Sequence, residues 1–234
     1  MKGRSRESSD GTRRLALRLR TAKGRKLAST RWLTRQLNDP YVEEAKRRGY
    51  RSRAAFKLSE IDDKYHLLRP GMSVVDLGAA PGGWSQVAAQ RVGVMGGKGS
   101  VIAVDVVEIE PISGVTALRL DLTDPDAADR IRGALNGKRA DLVMSDMHAP
   151  ATGHKQTDHL RIVGLVEAAL DVAEEVLAPG GGFLAKVLQG GAGKELVARL
   201  NSSFAKARHV KPKASRAESA EMYVLATGFR GVQI

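Results

Sequence analysis

Four charged residues stand out by placement. Lys186 lies inside the apolar run Phe183–Leu188, between Ala185 and Val187. Asp146 closes the run Asp141–Asp146, Glu221 opens the run that continues through Met222–Thr227, and Lys57 lies well upstream in RSRAAFKL, Arg51–Leu58. A lysine among apolar strand residues is either an edge residue whose ammonium snorkels to water or a buried group placed for proton or charge chemistry. As a base it would have to be neutral, which needs burial or a neighbouring cation; as an ammonium it would stabilise a developing anion. Lys57 supplies a candidate cation and Asp146 an opposing carboxylate, so both readings of Lys186 stay open.

A turn is the second chemical feature. The run VVDLGAAPGGWS, Val74–Ser85, is a Val-rich segment ending in Asp76, followed by a Gly- and Pro-containing turn and then helical spacing through Val92. Strand, glycine turn and helix form the opening unit of a doubly wound α/β sheet, whose ligands bind beyond the strand C-termini. Glycine there permits positive φ and close backbone approach to a ligand. The turn is not the dinucleotide fingerprint G-x-G-x-x-G, and Pro81 removes an N–H that a phosphate cradle would use. An acid before the turn and another, Asp105, ending the next strand suit a ligand with a cationic end and a ribose. S-adenosylmethionine has both, and a nicotinamide dehydrogenase is disfavoured.

The elements that must position these groups follow in order. Asp39-Pro40 reads as the start of a basic helix ending at Gly49. The next helix puts Ala54, Leu58 and Ile61 on one face and Arg51, Arg53 and Lys57 on another, which reads as a solvated helix face or as an RNA contact. Strands are predicted at Val74–Asp76, Val101–Asp105, Val115–Leu120, Asp141–Asp146, Phe183–Leu188, near Val210 and at Met222–Thr227. Helices are predicted over Pro125–Leu135 behind an Asp124 cap, over Asp158–Leu177 and from Gly193 to Phe204, with Pro179–Gly182 as a turn. This alternation predicts an α/β fold, a mainly parallel sheet with helices on both faces.

Composition narrows the function classes. The sequence has 234 residues, enough for one sizeable domain, and no cysteine, which excludes disulfides, a thiolate nucleophile and Cys-based metal sites. Asp76, Asp105, Asp121 and Asp146 are dispersed over separate strand ends, so no metal is expected. No apolar run is long enough to span a membrane, and no signal-type apolar segment follows the basic N-terminus. A cytoplasmic location is expected, with an Arg-rich organelle-targeting segment as a second reading. Of the net charge of +12, residues 1–35 carry +10. Residues 1–30 are therefore read as a basic arm, disordered alone, that contacts nucleic acid by its phosphates, and residues 31–234 as the domain. Lys206, Arg208, Lys211 and Lys213 are further candidate RNA contacts.

Five segments in one register carry a resemblance. They are Arg51–Leu58, Val75–Gln86, Ser145-Asp146-Met147, Ala185–Gly190 and Ser215–Gly228. Together they resemble the RlmE (FtsJ/RrmJ) family of S-adenosylmethionine-dependent ribosomal RNA ribose 2′-O-methyltransferases, over roughly residues 30–229. The resemblance implies a Rossmann-like methyltransferase fold with a seven-stranded sheet whose last strand is antiparallel. It implies a catalytic set of Lys57, Asp146, Lys186 and Glu221, with Glu218 a nearby competitor for the last position, and donor contacts at Gly82, Trp84, Asp105, Asp121 and Asp146. It also implies a uridine ribose of large-subunit ribosomal RNA as substrate, on the assembled subunit, and a monomeric enzyme. A non-catalytic ribosome-assembly protein, or a 2′-O-methyltransferase acting on transfer RNA or an mRNA cap, are the alternatives. The sequence departs from the family pattern after Met147, where His148-Ala149-Pro150 replaces an Ala-Pro-Asn type of continuation. His148 is read as a loop residue or as an added base.

Overall fold

The computed structural model describes residues 27–150, 152–189 and 193–231. Among these residues seven strands form a single sheet: β1 (Ser73–Leu77), β2 (Ser100–Asp105), β3 (Val115–Arg119), β4 (Ala140–Ser145), β5 (Leu177–Leu188), β6 (Phe204–Val210) and β7 (Glu221–Phe229). Their order is β3-β2-β1-β4-β5-β7-β6. Strands β1 to β5 run parallel, and β7 lies antiparallel between β5 and β6. The chain moves outward from β1 through β2 to β3, then returns to place β4 on the other side of β1. That reversal opens a crevice beyond the C-termini of β1 and β4, where open α/β sheets bind ligands.

Helices α3 (Ala54–Tyr65) and α4 (Gly83–Val92) cover one face, and α5 (Ala127–Ala134), α6 (Lys155–Val176) and α7 (Lys194–Ser203) cover the other. The sheet's period of two divides its side chains between the two layers. Val75 and Leu77 pack with α5 to α7, whereas Val74 packs with Leu58 of α3 and Val87 of α4. The apolar stripe of α6 faces the sheet, with Ile162, Val166, Ala169, Ala173 and Val176 all buried. Ahead of the sheet lie α1 (Leu27–Leu37) and α2 (Pro40–Arg48). Asp39 caps α2 by accepting from the Tyr41 N–H at 3.1 Å, and Gly49 closes it in the left-handed region at φ 73°.

Two local expectations are corrected. Helix α5 starts behind Asp126, not Asp124, after the turn Asp121–Asp124 closes through a 3.1 Å backbone bond. The segment Pro179–Gly182 is not a turn before a strand. It lies within β5, which pairs with β4 from Leu177 and shifts register between Ala140 and Leu142, with Gly180 at φ 84° absorbing the excursion. The expected boundary at residue 30 falls inside α1, and residues 1–26 of the predicted basic arm lie outside the described residues.

Candidate active site

Strand register brings the first charged pair together. Ser145 pairs with Ala185 in the parallel β4–β5 ladder, so Asp146 emerges beside Lys186. Lys186 Nζ lies 2.8 Å from Asp146 Oδ1 and donates to the Asp146 backbone carbonyl at 2.7 Å. The antiparallel β5–β7 ladder sets Tyr223 opposite Lys186 and Glu221 opposite Leu188, two residues along. Glu221 therefore projects on the same face as Tyr223. Lys57 reaches in from α3, and its Nζ lies 2.8 Å from both Glu221 oxygens. The cross-pairs are longer: Lys57 to Asp146 and Lys186 to Glu221 are each 3.9 Å. Two ammonium groups thus alternate with two carboxylates in a charge-balanced quartet drawn from α3, β4, β5 and β7.

The quartet is largely out of water, with Lys57 and Lys186 both buried. Burial pushes the Glu221 carboxyl up, but Lys57 and Lys186, with hydrogen bonds from Lys57 and Ser215, outweigh it and hold the group below the usual range. Ser215 Oγ donates to Glu221 Oε1 at 2.8 Å. Tyr223 is fully buried and donates its hydroxyl to Asp146 Oδ1 at 2.7 Å, with Glu221 Oε1 at 3.4 Å. Burial, followed by the charges of Asp146 and Glu221, raises its phenol well above the ordinary value, which keeps it a donor. Glu218, the competing acid, is exposed and outside the quartet.

Tyr223 and Ser215 were not singled out from sequence. Tyr223 reads as an aromatic of a core strand; the usable signal was its i+2 spacing from Glu221, which puts both on one strand face.

The quartet opens into a cleft of about 1180 Å³ that runs along the C-terminal ends of β1, β2 and β4. Asp76, Asp105, Asp121, Asp146 and Trp84 line it together with Lys57, Lys186 and Glu221. Asp105 organises its rim: Oδ2 accepts from Ala80 N–H and Oδ1 from Val107 N–H, both at 2.9 Å. Asp121 accepts from the Thr123 N–H and hydroxyl, which hold its carboxyl below the usual range. Asp76 is different. It is 0% exposed, accepts from Ser85 Oγ at 2.6 Å through Oδ2, and its Oδ1 has no partner. Burial raises its carboxyl to about 7; Asp146 and Asp105 add to the rise and the Ser85 hydrogen bond opposes it.

The glycines of the turn serve the protein's own packing. Gly82 caps α4 at φ 110°, and a Cβ there would meet Ile112 Cδ1 at 2.7 Å and Arg51 Nη1 at 3.2 Å. A Cβ on Gly78 would strike the Met147 side chain, and one on Gly83 the Ser52 hydroxyl. Close approach is therefore needed, as the sequence implied, but by neighbouring loops. The Trp84 indole is committed to the core, with Nε1 donating to the Ala54 carbonyl at 2.8 Å and its ring 5.6 Å from that of Tyr223. What Trp84 offers the cleft is its backbone N–H, in the first turn of α4, where N–H groups lack helical partners.

The predicted cationic face of Arg51, Arg53 and Lys57 is divided among the protein's own contacts. Arg51 donates to the carbonyls of Pro81, Glu110 and Pro111 at 2.6–3.1 Å and so braces the glycine turn. Arg53 is ion-paired to Asp39, and Lys57 is in the quartet. His148 is exposed on the cleft rim. Among the described residues, no group of three His, Cys, Asp or Glu side chains converges as a metal site, and no helix is long and apolar enough to cross a membrane.

The FtsJ-like methyltransferase family model matches residues 50–229, which hold the whole sheet and every member of the quartet. This chain belongs to the FtsJ-like methyltransferase family. Curated relatives of the methyltransferase include the ribosomal RNA large subunit methyltransferase E of Xanthobacter autotrophicus, 62% identical over 94% of this chain and 86% of that one. The protein of the same name from a Bradyrhizobium species is 61% identical over 96% of both chains. Among solved structures, a Plasmodium falciparum protein named as a ribosomal RNA methyltransferase aligns with a TM-score of 0.70 at 28% identity, over 78% of this chain and all of that one.

Proposed function

We propose that the methyltransferase transfers a methyl group from S-adenosylmethionine to the 2′-hydroxyl of a uridine ribose in large-subunit ribosomal RNA, on the assembled subunit in the cytoplasm. The observation that carries this reading is the charge-balanced quartet standing at the inner end of an acid-lined cleft. The relatives' names supply the ribosomal substrate class, and the quartet supplies the chemistry.

The cleft suits the donor. Asp105 and Asp121 present carboxylate oxygens to ribose and base donors. The first turn of α4 offers backbone N–H groups to a carboxylate. The buried, unpartnered Asp76 Oδ1 favours a cationic ligand, whose charge would hold its carboxyl in the ionised form. S-adenosylmethionine supplies an activated methyl on a sulfonium, so the protein must align the attacking oxygen and handle one proton.

Lys186 is the residue placed to meet that oxygen. Asp146 holds its ammonium from the side and from the backbone, which fixes the direction of its remaining donor. Held this way, Lys186 orients the ribose hydroxyl and stabilises the alkoxide as it forms. Asp146 accepts the proton that leaves the hydroxyl. Lys57 and Glu221 form the outer pair; they keep the site neutral, and Lys57 engages Glu221 so that it stays 3.9 Å from Lys186. Alignment accounts for much of the rate. The domain at residues 31–234 carries this chemistry, and the basic arm adds phosphate contacts.

The test is labelled methyl transfer from S-adenosylmethionine to undermethylated large ribosomal subunits, free ribosomal RNA and transfer RNA. Label on a ribose of subunit RNA, lowered about 10²–10⁴-fold by Lys186→Ala with donor binding intact, is the expected result. Label only on transfer RNA replaces the substrate, and no label with donor bound refutes catalysis.

A further inference from the structure

Two arginines beside the quartet converge on one carboxylate. Arg53, the residue before α3, places Nη1 2.7 Å from Asp39 Oδ2 and donates through Nη2 to the Ala214 carbonyl. Arg216, on the loop before β7, donates to the same Asp39 Oδ2 from Nε at 3.2 Å and Nη2 at 2.9 Å. Two guanidinium groups share a single carboxylate oxygen, so neither fork is saturated by it. Both arginines line the cleft. The Arg53 Nε is buried and donates to nothing. Neither arginine is bonded to another acid: Glu60 accepts from the neutral Tyr41 hydroxyl and Ala214 N–H, and Glu218 is exposed on the lip.

Each arginine is tied to a quartet member. Arg53 precedes Lys57 by four residues with helical backbone, φ −61° and ψ −18°, so the two share a helix face one turn apart. Arg216 follows Ser215, whose hydroxyl holds Glu221. A clamp that only fastened α2 to the body would need one arginine for one carboxylate. The second leaves a partly exposed fork at the cleft, the geometry that recognises phosphate.

We propose that Arg53 and Arg216 form a seat for a backbone phosphate next to the target ribose, with Asp39 the internal anion that the phosphate displaces from part of their contacts. In RNA the 2′-oxygen adjoins the 3′-phosphate on the same ribose. A phosphate fixed here therefore sets the distance from that oxygen to Lys186. The inference rests on the 2′-O-methylation reading above.

The experiment uses full-length protein, undermethylated large ribosomal subunits as the RNA probe and S-adenosylmethionine as donor, over a salt series. For Arg216→Gln, KM for the particle is expected to rise roughly tenfold. The slope of log affinity against log salt falls by about 0.7, and the donor Kd stays unchanged. Arg216→Lys keeps the charge but not the fork, so it holds the salt slope and loses part of the affinity. Asp39→Asn still caps α2 and removes the competing carboxylate, so its KM is equal to or below wild type. If Asp39→Asn weakens the particle as Arg216→Gln does, the cluster is only a structural clamp and the seat is wrong. Unchanged KM and slope in Arg216→Gln overturn it too. Should Arg216→Gln fail to fold, Arg216→Lys and Asp39→Asn decide by the same two readouts. Wild type that methylates particles while the Arg216 variants behave like it refutes the seat alone; wild type that leaves particles unlabelled refutes the underlying reading, and the seat with it.

Discussion

Asp76 lies on β1 and Asp146 directly follows β4, the parallel neighbour of β1, and both line the same cleft. Asp146 is surrounded by donors: Lys186 at 2.8 Å, the Tyr223 hydroxyl at 2.7 Å and Lys57 at 3.9 Å. Asp76 is more deeply buried and has one neutral donor, Ser85, with its other oxygen unmatched. A buried carboxylate without a counter-charge is costly, and it shifts toward its neutral form. The quartet meets this cost within the chain and is assembled before any substrate arrives. Asp76 does not, and its missing partner is a cation that the chain itself does not provide. On the proposed function, the preorganised region carries the chemistry, where geometry must not drift, and the unsatisfied one carries binding, where an incoming charge relieves the penalty.

The largest effect comes from breaking the quartet. Lys57→Met leaves Glu221 with Lys186 at 3.9 Å as its remaining cation. Removing one partner of a buried pair costs about 3–5 kcal/mol, so thermal melts should show a marked drop. Adding Glu221→Leu removes the stranded carboxylate and should recover most of that stability. Turnover should stay at least about 10²-fold down in both variants. Recovery of turnover along with stability would mean that the outer pair matters only for packing.

Asp76 is tested by pH. Its carboxyl is raised from 3.8 to about 7 in the folded chain. A group raised on folding contributes stability that is full below its unfolded value and is lost as pH rises through its folded value. Ligand-free protein should therefore lose up to ~4 kcal/mol between about pH 4 and pH 7 from this group. Asp76→Asn should flatten that decline. A cationic donor favours the ionised carboxylate, so donor binding should release a proton and tighten as pH rises toward 8. Calorimetry in buffers of different ionisation enthalpy reads that proton directly. Equal proton release by wild type and Asp76→Asn would remove Asp76 from the donor site.

The same contrast explains what could be read from the chain in advance. Lys186 and Asp146 were legible because a charge inside or closing an apolar strand breaks a strong local pattern. The sheet was legible because its strands are separated by helices of clear periodicity, such as the Ile162–Val176 stripe. Arg51 and Arg53 were not. On a helix end they look like a solvated cationic face, and only tertiary contacts with Pro81, Pro111 and Asp39 show them as braces. The glycines around Pro81 signalled close approach without saying that Met147, Ile112 and Ser52 were what approached. At Pro179–Gly182 a local turn signal yielded to pairing with β4, which extends β5 back to Leu177.

The finest test separates holding a charge from holding a geometry. Tyr223→Phe removes one donor to Asp146 and leaves Lys186 as its near partner. The ring stays packed against Trp84, 5.6 Å away. No buried donor is orphaned, so stability should fall by only about 1 kcal/mol. Turnover should drop several-fold, because Asp146 gains freedom to rotate and Lys186 follows it, while KM for RNA and the donor Kd stay put. If the quartet's charge balance alone determined the rate, turnover would be unchanged. If Tyr223 were itself the proton carrier, the loss would match that of Lys186→Ala. A several-fold loss between these limits identifies the hydroxyl as a positioning group for a site whose charges are already balanced.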